Sequence, residues 1–378
     1  SDRSRRGHEE KTMELQIAVD ELSRALYRSQ GIAEKKSTLP LLSHVLLEAK
    51  DGKLTVTAFD LEIGLVSEHR AEVSKEGRIA VSARRLFDIV RMLPEPTAVL
   101  RLKPNNYLEI TCGSSRFRIV GADPEDYPRL PISDVPFVAI QPKLLLEMLE
   151  LTSIAVSTDE TRLNLNGVFF QPVEGGLRLV ATDGHRLSMA ERKMEGRFDV
   201  GRGVILPRKG VAELRKLLGE GEAESAELGL GERICVFRRP GLTFVMQLVA
   251  GQFPEYEKVI PERHPNPLVL RRVGFLDTLK RVSLLSQDQM HTVKLEVGDG
   301  VLKVTSQSPE LGEAYEEIPV ETRLEPLRVG FNARYLIDVL GVMDAEEVRF
   351  ELSDELSPGV IRPLEDDSYT AVVMPVRI

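Results

Sequence analysis

The sequence contains few of the residues on which metal, disulfide or cofactor chemistry depends. It has no tryptophan, six histidines and two cysteines, Cys112 and Cys235, among 378 residues. Each cysteine lies in a strand-like segment with no second cysteine or histidine at metal-binding spacing, so both are predicted to be buried thiols. The histidines are scattered, and the chain has no nucleophile-elbow, phosphate-loop or dinucleotide motif. We therefore expect no metal site, no cofactor and no catalytic residue.

The sequence also lacks long apolar runs. No segment approaches the roughly 20 apolar residues that a membrane-spanning helix needs, and no signal-peptide pattern opens the chain. Hydrophobic residues make up 42% and charged residues 29% of the chain, a balance typical of globular proteins. We expect a cytoplasmic protein with no membrane partner. Residues 1–12 are polar and aperiodic, which predicts a disordered extension or an expression remnant outside the fold.

A repeat of 125 residues organises the rest of the chain. Similar segments begin at Val81, Leu206 and Phe331, and each leads through a small or capping residue into an amphipathic helix. Alternating strands and a second helix recur in the same phase. A repeat of this length is a whole domain. The sequence therefore predicts an α+β fold of three repeated domains, each with two helices packed on antiparallel sheet, at residues 13–133, 134–264 and 265–378.

Three further segments relate to the domain boundaries. Segments 123–131 and 253–261 are rich in proline and follow strands, which predicts linkers. Segment 372–378 (VVMPVRI) is an apolar end to the last repeat. Exposing it to water would be unfavourable, so we expect it to dock, with segment 253–261 as a candidate wall.

Charge is divided unevenly between the predicted helices and the remaining chain. The helical windows hold 15 Lys or Arg and 8 Asp or Glu, a net charge of +7, which leaves −16 elsewhere in a chain of net −9. These windows are 19–30, 82–93, 142–151, 207–218, 271–281 and 332–343. Ordinary helix solvation and dipole preference explain such a split. The alternative is that the helices share a surface facing a polyanion, held through sequence-independent phosphate contacts.

The segment 182–187 (TDGHRL) concentrates polar residues between apolar neighbours. It is compatible with a catalytic turn, half of a metal site or the polar rim of an apolar pocket. Catalysis by Asp183 and His185 would need a nucleophile or a metal partner, and the sequence offers no pattern for either. We expect Asp183 to shape the turn that presents His185.

Four motifs, placed in order within the three repeats, resemble the bacterial DNA polymerase III beta subunit, the sliding clamp family. They are 181–188 (ATDGHRLS), 206–211 (LPRKGV), 251–256 (GQFPEY) and 373–378 (VMPVRI), and the resemblance extends over residues 13–378. It implies that two subunits form a six-domain ring, in which helices surround duplex DNA and sheets face outward. The function implied is a non-enzymatic homodimeric clamp that gives the replicative polymerase processivity. Other implied partners are the clamp loader and repair proteins that dock through short linear peptides.

The resemblance also assigns residues to three sites. A peptide-binding pocket is implied for Leu165, Thr182, Gly184, His185, Arg186, Leu187, Pro254, Val259, Val372, Val373, Met374, Pro375, Val376, Arg377 and Ile378. Contacts to DNA are implied for Lys36, Arg84, Arg208 and Lys209. A dimer interface is implied for Arg116, Phe117, Leu284 and Leu285. Apolar walls would bury the Leu and aromatic side chains of a peptide, while polar groups orient it.

Two alternatives from other functional classes stay open at this point. One is a hydrolase that uses His185 and Asp183. The other is a monomeric scaffold that binds peptides without encircling DNA. Sedimentation, which measures the subunit number, and a comparison of retention on circular and linear DNA distinguish them from a clamp.

Overall fold

The computed structural model describes residues 11–33, 38–132, 134–221, 225–286 and 288–378. Its helices are α1 (Val19–Gln30), α2 (Ala83–Val90), α3 (Pro142–Ser153), α4 (Arg208–Leu218), α5 (Arg272–Val282) and α6 (Ala333–Val342). They pack in the pairs α1 with α2, α3 with α4 and α5 with α6. The prediction of two helices per repeat is therefore confirmed. Within the described ranges, no helix is long and apolar enough to cross a membrane.

The strands are numbered in chain order. Those before α3 are β1 (Glu14–Ala18), β2 (His44–Lys50), β3 (Lys53–Phe59), β4 (Ile63–Arg70), β5 (Glu72–Lys75), β6 (Gly77–Ser82), β7 (Thr97–Lys103), β8 (Tyr107–Cys112), β9 (Ser115–Ala122) and β10 (Phe137–Ile140). Those between α3 and α5 are β11 (Gly167–Val173), β12 (Gly176–Thr182), β13 (Arg186–Lys193), β14 (Val204–Pro207), β15 (Ala226–Leu230), β16 (Ile234–Arg239), β17 (Leu242–Gln247) and β18 (Leu268–Arg271). The last are β19 (Thr292–Gly298), β20 (Val301–Ser308), β21 (Gly312–Pro319), β22 (Leu327–Asn332), β23 (Glu347–Glu351), β24 (Gly359–Pro363) and β25 (Tyr369–Val373).

One compact unit comprises residues 1–139 and 223–247, as far as these are described. Its sheet has the strand order β10-β15-β16-β17-β4-β3-β2-β6-β9-β8-β7-β1-β5. Strand β17 pairs antiparallel with β4, which sets Phe244 opposite Leu65. Strands β15, β16 and β17 thus share a sheet with the first repeat, although the predicted boundary gives them to the second. The division at residues 133 and 264 stays a prediction.

The other compact unit comprises residues 140–222 and 248–378. It holds an eight-stranded sheet, ordered β14-β11-β12-β13-β25-β24-β23-β18, and a four-stranded sheet, ordered β21-β20-β19-β22. Strand β25 pairs antiparallel with β13, so that Val373 faces Arg186 and Val372 faces Leu187. This pairing brings the last strand of the chain beside the polar segment 182–187.

The repeated helices begin by different means at equivalent positions. The Ser82 hydroxyl accepts a hydrogen bond from Arg85 N at 3.3 Å, and Asn332 Oδ1 accepts one from Arg334 N at 3.0 Å. Both side chains satisfy backbone donors that a helix start leaves without partners. At the second position Pro207, with φ −65°, leads into α4 with no side-chain cap. Helix α2 ends at Val90, short of the predicted 82–93.

The proline-rich segments predicted as linkers contribute side chains to the core. Tyr127 is buried, and its hydroxyl donates to the carbonyls of His44 and Thr57 at 3.3 Å each. Phe253 stacks on Phe169 with ring centroids 4.7 Å apart. Since a stacked or buried ring fixes the backbone that carries it, each segment is anchored where it leaves its strand.

Both cysteines are buried, as the sequence predicted. Burial raises the pKa of the Cys235 thiol, because a thiolate would lose its hydration there. Cys112 donates a weak hydrogen bond to the Glu95 carbonyl at 3.5 Å. Both therefore act as small core residues.

Candidate functional site

A pocket of about 260 Å³ lies in the second compact unit, where β12, β13 and β25 meet segment 253–261. Many of the residues that the resemblance assigned to a peptide pocket line it together. These are Leu165, Thr182, Gly184, Arg186, Leu187, Pro254, Val259, Val372 and Met374. They come from four separate stretches of the chain, which the pairing of β13 with β25 and the packing of segment 253–261 bring into contact.

The floor of the pocket is part of the hydrophobic core. Leu165, Leu187 and Val372 are at most 2% exposed and belong to one buried cluster with Phe169 and Tyr256. At the mouth, Val259 is 52% exposed and Met374 is 41% exposed. A rigid apolar floor with exposed apolar walls favours binding of a hydrophobic side chain, because the floor is already dehydrated and ordered.

The turn 182–187 is held by its own polar groups. Asp183 Oδ1 accepts hydrogen bonds from the backbone N–H groups of His185 at 2.9 Å and Arg186 at 3.0 Å. Thr182 Oγ1 donates to the Arg186 carbonyl at 2.7 Å. Gly184 has φ +89°, a conformation that favours glycine. The prediction that Asp183 shapes this turn is confirmed.

This arrangement weakens the hydrolase alternative. A catalytic pair of Asp183 and His185 would need the carboxylate to reach the imidazole ring, but Asp183 Oδ1 accepts from the turn's backbone N–H groups and Oδ2 accepts from Arg186 Nε at 3.2 Å. The His185 side chain is exposed, and its carbonyl accepts from Met374 N at 2.9 Å. Among the described residues, no group of three or more His, Cys, Asp or Glu side chains is arranged to hold a metal ion.

Arg186 connects this turn to helix α6. Its Nη1 lies 2.6 Å from Asp338 Oδ2, and its Cζ lies 4.3 Å from the centroid of the Tyr335 ring. Its side chain is only 13% exposed. Two carboxylates and an aromatic face therefore surround one guanidinium group at the edge of the pocket.

Three lining residues were not predicted from the sequence: Arg162, Glu255 and Tyr256. Arg162 Nη1 donates to the Asp183 carbonyl at 3.3 Å and so lies over the turn. Tyr256 closes the motif at 251–256, and its phenol accepts from Arg178 Nη1 at 2.9 Å and donates to Gln171 Oε1. The motif at 251–256 includes Tyr256, whereas no motif or pattern in the sequence indicates that Arg162 reaches this pocket.

Several residues assigned to the pocket do not line it. They are His185, Val373, Pro375, Val376, Arg377 and Ile378. Val373 is buried but points to the face of the sheet opposite Val372, because alternate residues of a strand point to opposite faces. Beyond Met374 the chain end runs along β22, where Val376 N donates to the Gly330 carbonyl at 2.8 Å. The expected docking of the apolar end is confirmed.

The residues assigned to DNA contacts lie mainly at helix starts. Arg84 lies in the first turn of α2 with its side chain 75% exposed. Arg208 and Lys209 open α4, where Arg208 is exposed and its N–H donates to the Asn166 carbonyl at 2.9 Å. Lys36 lies outside the described residues.

The residues assigned to a dimer interface lie beside strand edges. Arg116 and Phe117 are exposed on β9. Strand β9 pairs with β8 along its length, but it meets β6 only at Gly121 and Ala122. Residues 115–120 of β9 therefore present an edge within the described part of the sheet.

The second predicted interface segment lies in the other compact unit. Leu284 and Leu285 form a short 3-10 turn (Ser283–Leu285) after α5, and Leu284 is 72% exposed. This turn packs beside β21, the terminal strand of the four-stranded sheet. Leu284 is therefore not a core residue of α5.

The charges near these edges are partly paired within the chain. Glu316 of β21 accepts from Arg281 Nη2 at 3.0 Å, and Arg118 of β9 lies 3.3 Å from Glu109. The pKa of Glu316 is lowered, mainly by its hydrogen bond with Arg281. In each pair at least one of the two side chains is exposed, so each pair contributes little to stability.

The chain matches three family models in order. They are the N-terminal domain of the DNA polymerase III beta subunit at residues 13–131, its central domain at 139–255 and its C-terminal domain at 257–377. Two relatives called beta sliding clamp, from Pseudomonas aeruginosa and Caulobacter vibrioides, are each 35% identical to it. Each alignment covers 97% of this chain and 100% of the relative.

Solved structures agree with this assignment. The sliding clamp of Bartonella birtlesii bound to griselimycin gives a TM-score of 0.93 at 34% identity, and the Caulobacter crescentus beta sliding clamp gives 0.92 at 33%. Each superposition covers 97% of this chain and 100% of the other. The chain therefore belongs to the DNA polymerase III beta subunit family, the bacterial sliding clamps.

Proposed function

We propose that this protein is a homodimeric DNA sliding clamp. It encircles duplex DNA, tethers the replicative polymerase and docks other replication and repair proteins through short peptides. It has no catalytic role, and its work on chromosomal DNA takes place in the cytoplasm. The observation that carries the proposal is the apolar pocket floored by Leu165, Leu187 and Val372.

The pocket suits the hydrophobic side chains of a short peptide. Its volume of about 260 Å³ accommodates one or two Leu or aromatic side chains rather than a folded domain. The exposed side chains of Val259 and Met374 lose contact with water when a peptide covers them. Arg162 and Glu255 at the rim offer polar groups that orient the peptide backbone. Partners thus share a small anchor motif and differ elsewhere.

Ring closure is proposed to use the two strand edges. Residues 115–120 of one subunit pair with β21 of its partner by strand addition, since an open edge presents unpaired N–H and C=O groups. Phe117, 37% exposed, and Leu284, 72% exposed, supply the apolar contact between subunits. Each chain carries one edge of each kind, so a head-to-tail pair closes with two identical interfaces.

DNA contacts are proposed for the helix starts. Arg84, Arg208 and Lys209 present cations beside backbone N–H groups, and both attract phosphates; Lys36 is assigned to the same role. Contacts of this kind carry no sequence information and weaken with added salt. Weak contacts suffice, because a closed ring stays on DNA by topology.

Retention on DNA tests the ring. Protein loaded by the clamp loader on nicked circular DNA is expected to co-elute with it in gel filtration, and to be lost when the circle is linearised. Equal retention on circular and linear DNA would refute topological binding and favour the monomeric scaffold.

A variant at the interface sharpens this test. Leu284→Arg is expected to give monomers in sedimentation at micromolar concentration and to lose retention on circular DNA. Leu356→Arg is the matched control, because Leu356 is 65% exposed and lies between β23 and β24, in a different sheet from β9 and from β21. Dimers that persist in Leu284→Arg would contradict the assigned interface.

Peptide capture tests the pocket. Removing residues 374–378 takes away the Met374 wall and the backbone bonds of Met374 and Val376. The truncated chain is expected to lose binding of a fluorescent polymerase-derived peptide while still sedimenting as a dimer. Unchanged peptide affinity would refute the pocket assignment.

A further inference from the structure

The second helices of the three repeats carry an acidic residue at the same position. Asp88, Glu213 and Asp338 are 125 residues apart. In the first two copies the acid pairs with a cation three residues later. Asp88 Oδ1 lies 3.2 Å from Arg91 Nη2, and Glu213 Oε1 lies 2.9 Å from Lys216 Nζ. These are ordinary pairs along a helix surface.

The third copy departs from this pattern. Its residue three positions after Asp338 is Gly341, which has no side chain to pair. Asp338 Oδ2 instead lies 2.6 Å from Nη1 of Arg186, 152 residues away in the sequence. A second departure is Tyr335, which occupies the position of Arg85 and Gly210 in the other copies.

Both departures act on one side chain. The Tyr335 ring lies under the Arg186 guanidinium at 4.3 Å, while Asp183 and Asp338 engage its nitrogens. Arg186 lines the pocket and is 13% exposed. Planar guanidinium groups are well suited to being stacked and paired in this way. Two carboxylates offset the single positive charge, and the ring fixes its plane.

We propose that Asp338 is a positioning and specificity-determining residue of the peptide pocket, acting through Arg186 with Tyr335 as its support. The inference rests on the proposed peptide-binding function and adds to it a positioning residue and a preference between neutral and acidic peptides. Because the Arg186 charge is already offset, this wall favours uncharged hydrophobic side chains over acidic ones. Without Asp338, Arg186 regains conformational freedom and keeps only one carboxylate partner.

The test compares two labelled peptides by fluorescence anisotropy. One carries Leu and Phe anchors, and the other has an Asp next to the anchors in place of a neutral residue. Asp338→Ala is expected to weaken binding of the first about three- to tenfold, as loss of a charged hydrogen bond does. The ratio of its affinity for the acidic peptide to its affinity for the first peptide is expected to exceed the wild-type ratio. A residue with only a structural role would weaken both peptides equally.

Four further variants complete the design: Asp338→Glu, Asp88→Ala, Arg186→Ala and the double variant Arg186→Ala/Asp338→Ala. Asp338→Glu keeps the charge and is expected to restore at least half of the lost affinity. Asp88→Ala is the matched control, because it removes the equivalent acid in the first copy, where the side chain is similarly exposed (47% against 44%). In the Arg186→Ala background, Asp338→Ala is expected to have no further effect. Thermal unfolding of each variant verifies that the fold is kept.

The outcomes separate this inference from the proposed function. If the wild-type chain binds neither peptide, the peptide-binding function itself fails. If it binds the hydrophobic peptide and Asp338→Ala matches it within twofold with the same preference, only the inference is overturned. If Asp338→Ala weakened peptide binding as much in the Arg186→Ala background as in the wild-type chain, the inference would also be overturned.

Discussion

Replacing Tyr256 tests whether segment 253–261 is core or merely a linker. Its ring is 1% exposed and lies edge-on to Phe169 and Phe253, with centroids 6.4 and 6.1 Å away. Burial raises the pKa of its phenol, against the lowering effect of Arg178, so the hydroxyl stays protonated at neutral pH. It can therefore donate to Gln171 while accepting from Arg178.

The two halves of the Tyr256 side chain contribute separately. Tyr256→Phe removes only the hydroxyl. Arg178 keeps its contact with Glu191 at 2.7 Å, so the free energy of unfolding is expected to fall by about 1–2 kcal/mol. Tyr256→Ala also removes the ring and leaves a cavity beside Phe169 and Phe253, with an expected loss of about 3–5 kcal/mol.

Urea denaturation at one fixed protein concentration, followed by far-UV circular dichroism, measures both losses. Val259→Ala is the control, because it lies in the same segment and lines the same pocket but is 52% exposed. It is expected to change stability by less than about 0.5 kcal/mol while weakening peptide binding. If Tyr256→Ala stayed within about 1 kcal/mol of the wild type, the segment would be a dispensable linker.

Three further predictions concern other parts of the chain. Burial lowers the pKa of His69, against the raising effect of Glu21. The unfolded chain therefore binds more protons than the folded chain below about pH 6.5, and the free energy of unfolding falls as the pH is lowered through that range. His69→Gln removes this group and should flatten the dependence of Tm on pH between about 5 and 7. Ser82→Ala removes the N-cap of α2 and should lower the free energy of unfolding, measured by urea denaturation, by about 0.5–2 kcal/mol. An unchanged free energy of unfolding would show that this cap does not stabilise the helix. Gly330→Ala would set its Cβ 2.7 Å from the Val376 carbonyl oxygen, so the chain end should detach and become sensitive to carboxypeptidase, whereas wild-type resistance would contradict this contact.

Local sequence patterns explain why the helix starts could be predicted from the sequence. Helix starts at 83, 208 and 333 follow from apolar periodicity and from the residues before them, Ser82, Pro207 and Asn332, which act within one turn. The end of α2 was wrong by three residues. Pro94 follows closely and disfavours helix in the residue before it, a local signal that the periodicity of Leu86, Ile89 and Leu93 outweighed.

Membership of the pocket was only partly predictable. Motif resemblance identified Leu187 and Val372 as members of one site, and their cross-strand pairing in β13 and β25 agrees with that. It also included Val373, which a strand must point to the opposite face from Val372. Resemblance transfers a stretch of sequence, whereas side-chain direction depends on the register of the strand that carries it.

The sequence by itself determined the threefold repeat, the helix pairs and the burial of the cysteines, because each is encoded in residues close together or in a fixed period. Only the tertiary structure decided that Arg186 meets Asp338 across 152 residues and that β17 joins β4 in one sheet. Such contacts depend on which strand edges pair and which helix packs nearby, and no local preference records that choice. The polar segment 182–187, suggestive of catalysis when read alone, became one side of a pocket for the same reason.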